Sequence, residues 1–220
     1  MLLKGLLPEE VAFWECNILT PPLPLFDIET RAIQGAVPIR QREFRVGRSC
    51  ARRALSALGL PPTAIPMGAN REPVWPPGYI GSISHSRNYC VAAAAKSNSD
   101  LASLAIDIEI AGIVAADLAC EICLPEEKDW LDHLDEAQMQ LALTVIFSAK
   151  ECAYKCQYAL TRRLIGFDAI AIAIDWRSGS YAAILQQPLP PFCKGDKWQG
   201  RFHVAEGHVV TTMILPGSLS

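Results

Sequence analysis

The stretch Leu104-Ala-Ile-Asp-Ile-Glu109 alternates strictly, so in an extended chain Asp107 and Glu109 share one face while Leu104, Ile106 and Ile108 share the other. Two carboxylates then project side by side. Farther along, Phe147-Ser-Ala-Lys-Glu-Cys-Ala-Tyr-Lys155 adds a third carboxylate and two ammonium groups, with Glu151 and Lys155 four residues apart on one helical face. Three acids beside two bases suit a divalent cation holding a polyphosphate. Mg2+ takes carboxylate and phosphate oxygens and keeps some of its water, and the lysines offset the remaining phosphate charge. Spacing alone leaves a plainer reading open, in which Asp107 and Glu109 end a strand at the surface and Glu151–Lys155 is an ordinary helix ion pair.

Several elements must position these groups. From about Arg42 to Leu58 the residues Phe44, Gly47, Ala51, Ala54, Leu55 and Leu58 form a helical stripe, which Gly59 and Pro61-Pro62 end. The opposite face carries Arg45, Arg48 and Arg52, with Arg40 and Arg42 upstream and Arg53 beside them; for any one arginine taken alone, a solvated surface is the plain alternative. A loop, Gly68 to Gly78, leads to strands at Tyr79–Ser84 and Cys90–Ala95, with Ser84-His-Ser-Arg-Asn88 as the turn between them. The strand at 104–109 follows. A second helix is expected over Glu136–Leu160, then strands near Ala169–Asp175, Tyr181–Leu185, His203–Ala205 and His208–Ile214. Arg48-Ser-Cys-Ala-Arg-Arg53 and Lys150-Glu-Cys-Ala-Tyr-Lys155 echo one another, a short sign of internal duplication. Residues 1–38 read as a strand or two plus loop around Thr20-Pro-Pro-Leu-Pro24, with Trp14 as packing.

At 220 residues, half of them hydrophobic, the chain can bury a substantial core and fold alone. A net charge of −3 and a pI of about 5.8 give no global basic footprint for nucleic acid, so any anion site is local and its ligand small. The apolar run after Met1 is too short for a signal peptide, and no stretch is long enough to span a membrane. The eight cysteines are therefore expected to be reduced. Cys120 and Cys123 form a lone CxxC pair, and Cys152 and Cys156 lie one turn apart among apolar residues, so both pairs read as buried small hydrophobes rather than as a zinc site.

Five segments taken together resemble the 4′-phosphopantetheinyl transferases, in the monomeric surfactin-activator type and its enterobactin synthetase component D-like branch. They are Arg42–Leu55, Arg71-Glu-Pro-Val-Trp-Pro76, Gly81-Ser-Ile-Ser-His85, Ala105-Ile-Asp-Ile-Glu109 and Phe147–Lys155, and the likeness spans about residues 40–170. The resemblance implies an α+β fold of two pseudo-twofold-related α/β subdomains, each a mostly antiparallel sheet packed on a long helix. It assigns 1–103 to coenzyme A nucleotide binding and 104–220 to metal binding and catalysis, with the active site at the interface.

The implied reaction moves the phosphopantetheine arm of coenzyme A onto a serine hydroxyl of an apo acyl- or peptidyl-carrier protein and releases adenosine 3′,5′-bisphosphate. By resemblance Asp107, Glu109 and Glu151 hold Mg2+, with Mn2+ as a possible substitute. Lys155 meets the pyrophosphate, and Lys150 lies near the same oxygens. Arg40 and Arg48 meet phosphates of coenzyme A, Ser84 and His85 grip its 3′-phosphate, and Arg71 lies beside the adenine. The catalytic set is Asp107, Glu151 and Lys155; the serine proton goes to Glu151 or through a metal-bound water. Glu127, or its neighbour Glu126, orders metal water or packs structurally. Met67 stands where some relatives carry a lysine. Carrier recognition is expected in an apolar groove between the halves, around Leu118, Leu124 and Arg162-Arg163. The implied protein is a cytoplasmic monomer with no nucleic-acid partner and no stable membrane association. Two other readings are an Mg2+-dependent nuclease and a coenzyme A-binding module without turnover.

Overall fold

The computed structural model describes residues 1–98 and 100–217. In chain order it contains β1 (Ala12–Asn17), α1 (Asp27–Ala32), α2 (Pro38–Ala57), β2 (Tyr79–His85), β3 (Tyr89–Lys96), β4 (Ser103–Ile110), α3 (Ala119–Ile122), α4 (Pro125–Leu131), α5 (Glu136–Thr161), β5 (Ile170–Asp175), β6 (Ser180–Leu185), β7 (Lys197–Ala205) and β8 (His208–Leu215). Two antiparallel sheets result, ordered β1-β3-β2 and β4-β8-β7-β6-β5. Helix α2 lies on the first and α5 on the second, the α+β plan expected from sequence, with unequal strand numbers in the two halves.

Strand β3 explains how the halves join. Cys90 through Ala95 are all 0% exposed, and the two-residue period divides them between two cores. Cys90, Ala92 and Ala94 pack with Val46, Cys50, Ala51 and Ala54 of α2. Val91, Ala93 and Ala95 join Leu104, Ile106 and Ile108 of β4 in a cluster that spans the seam, closed by Leu2, Leu3 and Leu6. Strand β4 shows the expected alternation, since Ala105 belongs instead to the core beneath α5. The small side chains of β3 admit α2 closely, and a Cβ on Gly47 would come within 3.0 Å of Ile83.

Helix α2 begins at Pro38, earlier than its apolar stripe, because a proline in the first turn gives up an N–H that has no intrahelical partner anyway. Helix α5 is capped by Asp135, whose Oδ1 accepts from the Gln138 amide at 2.9 Å, and it ends at Arg162 in the left-handed region. Strand β7 is longer than expected: Trp198, Gly200 and Phe202 turn inward between Lys197, Gln199, Arg201 and His203.

The N-terminal region holds a helix, α1, where loop was expected. Six residues are too few to display a periodic stripe, and the helix is held by a tertiary anchor. The Glu29 carboxylate, fully buried, accepts from the Phe26 amide, the Ile65 amide and Arg52 Nη1 at 2.8–2.9 Å. Trp14 is not core packing but stays 43% exposed, with the Arg53 guanidinium over its ring. Cys123, Cys152 and Cys156 are buried as expected, whereas Cys120 is exposed. Among the described residues no helix is long and apolar enough to cross a membrane.

Candidate active site

Asp107 stands where β2, β4 and α5 meet, almost fully buried. Its Oδ1 accepts from Lys155 Nζ at 2.6 Å and from Ser84 Oγ at 2.8 Å, and its Oδ2 accepts from Ser148 Oγ at 2.8 Å. Lys155 also donates to the Ile106 carbonyl at 3.2 Å. Burial works against its charge, but Asp107 and Glu151 outweigh that and hold its pKa above the usual lysine value. Glu109, two residues on, is half-buried, and burial, reinforced by the Asp107 charge, pushes its carboxyl up to about 7. Glu151 is raised in the same direction by burial, with Asp107 adding to the rise and Lys155 opposing it.

Beside this cluster opens a cleft of about 310 Å3 lined by Arg40, Glu43, Phe44, Arg48, Met67, Arg71 and His85, among others. His85 is the neighbour of Ser84 on β2, so one strand end serves both cluster and cleft. Its Nε2 accepts from Arg40 Nη1 at 3.1 Å, and Arg40 also donates to Glu43 at 3.2 Å. Burial lowers the His85 pKa, in keeping with a neutral ring accepting from a guanidinium. Arg48 is buried under the cleft, its Nε donating to the Ile65 carbonyl at 2.7 Å with Phe44 beneath the guanidinium; burial lowers its pKa to about 10.

Two family profiles match this chain: the 4′-phosphopantetheinyl transferase N-terminal domain over residues 28–95, and the 4′-phosphopantetheinyl transferase superfamily over residues 103–213. The 4′-phosphopantetheinyl transferase Svp of Streptomyces mobaraensis is 37% identical over 192 residues, covering 86% of this chain and 78% of its own. The chain belongs to the 4′-phosphopantetheinyl transferase superfamily. It is similar also to the 4′-phosphopantetheinyl transferase Npt of Nocardia iowensis, at 31% over 222 residues with 96% of this chain and 99% of that one covered. Enterobactin synthase component D of Salmonella typhi is 35% identical over 136 residues, 60% of this chain and 54% of its own.

Within the transferase, Asp107, Glu109, Glu151 and Lys155 converge at the seam, and Arg40, Arg48, Arg71 and His85 share the cleft. Among the described residues no group of three or more His, Cys, Asp or Glu side chains is drawn together closely enough to chelate a metal ion by itself. The donor set nonetheless fits Mg2+. That ion takes one or two protein carboxylates and completes its shell with phosphate and water, and Glu109 and Glu151, whose carboxyls burial raises and the Asp107 charge raises further, stand beside Asp107 as oxygen donors.

Two of the expected contacts, Lys150 and Ser84, have partners within the protein. Lys150, expected near the pyrophosphate oxygens, points into the protein: it is 1% exposed, and its Nζ donates to Glu127 Oε2 and the Ile122 carbonyl at 2.7 Å and to the Phe167 carbonyl at 3.0 Å. Lys150 and Glu151 both border a small cavity with Tyr154 and Ile165, but the Lys150 ammonium is taken up by Glu127. The Ser84 hydroxyl, expected at the 3′-phosphate, already donates to Asp107 and has no second hydrogen to offer. Glu127 takes the structural role of the two weighed for it, and Glu126 is exposed. The sequence reading missed Ser148 and Thr211, whose hydroxyls lie 2.8 Å apart behind Asp107, and Glu43 between Arg40 and His85. The position of Ser148, seven residues before Lys155 and thus on the same face of α5, was the available signal.

Proposed function

We propose that this transferase moves the 4′-phosphopantetheine arm of coenzyme A onto a serine hydroxyl of an apo acyl- or peptidyl-carrier protein, with Mg2+, and releases adenosine 3′,5′-bisphosphate. The observation that carries the reading is the single strand end at Ser84-His85, which joins a basic cleft of phosphate-binding character to the Asp107–Lys155–Glu151 cluster. The nucleotide half of the site falls in residues 1–103 and the catalytic half in 104–220. One chain supplies both sides, in keeping with a monomer, and action in the cytoplasm goes with the reduced cysteines.

Arg40, Arg48 and His85 meet the phosphates of the nucleotide, and Arg71 flanks the adenine. Asp107, Glu109 and Glu151 would hold Mg2+, which supplies neutralisation of the diphosphate's negative charge. The carrier serine oxygen bonds to the pantetheine-side phosphorus, and the bridging P–O bond breaks toward adenosine 3′,5′-bisphosphate. The serine proton passes to Glu151, which stands beside Lys155 on α5. Lys155, held charged by Asp107, offsets charge on the departing oxygen. Leu118 and Leu124, with Arg162 and Arg163, are the proposed contacts for the carrier, whose acidic helix the arginines complement.

Incubation with Mg2+, coenzyme A and an apo-carrier should add the mass of one phosphopantetheine to the carrier. Asp107→Ala should abolish that gain while circular dichroism stays native. Full turnover of this variant at saturating Mg2+ would overturn the assignment, as would nucleic-acid cleavage in place of carrier modification.

A further inference from the structure

Adjoining the arginine cleft runs a groove of about 560 Å3 whose walls include Trp75, Tyr79, Ile80, Tyr154, Tyr158 and Lys155. Arg71 borders both this groove and the nucleotide cleft. The loop that carries it is closed on itself. The Gly68 amide donates to the Glu72 carbonyl at 2.8 Å, the Arg71 amide to the Gly68 carbonyl at 3.1 Å, and the Val74 amide to the Pro66 carbonyl at 2.9 Å. The Asn70 amide donates to Glu72 Oε2 at 2.9 Å, folding that carboxylate over Gly68, where a Cβ would overlap it.

At the apex Arg71 has φ 68°, in the left-handed region that a side chain occupies at a cost of about 1 kcal/mol or more. Such a conformation persists only where its surroundings over-determine it, and here both neighbours are tied to the other half of the molecule. Asn70 Nδ2 donates to Tyr158 Oη at 2.5 Å, and Arg162 Nη1 reaches Glu72 Oε1 at 3.5 Å. Arg162 is itself left-handed, at φ 58°, and its guanidinium sits 5.6 Å from the Tyr158 ring. Two of the three non-glycine residues with positive φ among those described thus border one groove. Tyr158 stacks on Tyr154 and is buried, so the anchor on α5 is rigid.

We infer that Asn70–Tyr158 and Glu72–Arg162 form a clasp that fixes the loop 66–74 against α5 and so aims Arg71 at the coenzyme A nucleotide. Tyr158 and Arg162 are then positioning residues for nucleotide binding, although they belong to the catalytic half and lie outside the nucleotide cleft. The inference rests on the reading of Arg71 as a nucleotide contact. It separates binding from chemistry, because Lys155 and Asp107 do not depend on the loop.

The test compares wild type with Tyr158→Phe combined with Arg162→Ala, with Arg162→Lys, and with Arg71→Ala, using carrier modification and amide hydrogen exchange. The double variant should raise the KM for coenzyme A about fivefold, which is about 1 kcal/mol. It should act on coenzyme A through KM rather than kcat and speed exchange of the amides at 66–74; Arg162→Lys should stay near wild type. An unchanged KM for coenzyme A, or a fall in kcat alone, overturns the clasp. If Arg71→Ala raises that KM while the double variant does not, only the clasp fails. If Arg71→Ala leaves it unchanged, the assignment of Arg71 fails and the clasp falls with it.

Discussion

Glu109 shows how one side chain can tie folding to ligand chemistry. Its carboxyl has an ordinary value of 4.5 when free and is pushed up to about 7 in the fold, first by burial and then by Asp107. Between those values the native state keeps a proton that the unfolded chain has lost, so stability falls as pH rises through this window and levels off above it. Glu109→Gln should flatten that slope. In urea unfolding at about pH 8 without divalent cations, the variant should have the higher midpoint, and at about pH 4 the two proteins should converge. Added Mg2+ should raise the wild-type midpoint at the higher pH more than that of the variant, since the cation relieves the repulsion that the glutamine lacks. Parallel profiles at all pH values would remove Glu109 from the cluster.

Among the elements, α4, α5 and β5 are stitched by one buried ion pair. Glu127 Oε2 accepts from Lys150 and from the Leu124 amide, and its Oε1 accepts from the Ile172 amide, all at 2.7 Å. Removing one partner strands the other charge in the core, so Lys150→Met should cost about 3–5 kcal/mol. A double-mutant cycle with Glu127→Gln should return a coupling of about 2 kcal/mol, read from urea unfolding. Because the ammonium is turned from the arginine cleft, the folded fraction of Lys150→Met should keep its KM for coenzyme A. A tenfold rise in that KM at undiminished stability would show that Lys150 does reach phosphate.

The whole molecule depends on the core between the sheets, where Leu104, Ile106 and Ile108 of β4 pack with Val91, Ala93 and Ala95 of β3. Neither half buries this face without the other, so the halves should unfold together. Ile106→Ala, at a fully buried position, should cost about 2–5 kcal/mol and leave one cooperative transition. Circular dichroism and tryptophan fluorescence should follow the same curve, with Trp75 reporting from one half and Trp198 from the other. Two separated transitions would mean that the seam is a docking surface rather than a shared core.

The sequence by itself determined those features whose causes lie within a few residues. The alternation of 104–109 put Asp107 and Glu109 on one face, the four-residue step paired Glu151 with Lys155, and the stripe of 44–58 marked the buried side of α2. The motif segments were legible for the same reason, and they carried the family. Only the tertiary structure decided which polar groups remain available. Arg52 is spent on Glu29, 23 residues away, Lys150 on Glu127, and the Ser84 hydroxyl on Asp107. The Asn70–Tyr158 contact joins residues 88 apart. Helical and strand periods state which way a side chain points, but a hydrogen-bond partner is set by where the rest of the chain passes. Each buried donor or acceptor must be satisfied by whatever it meets there.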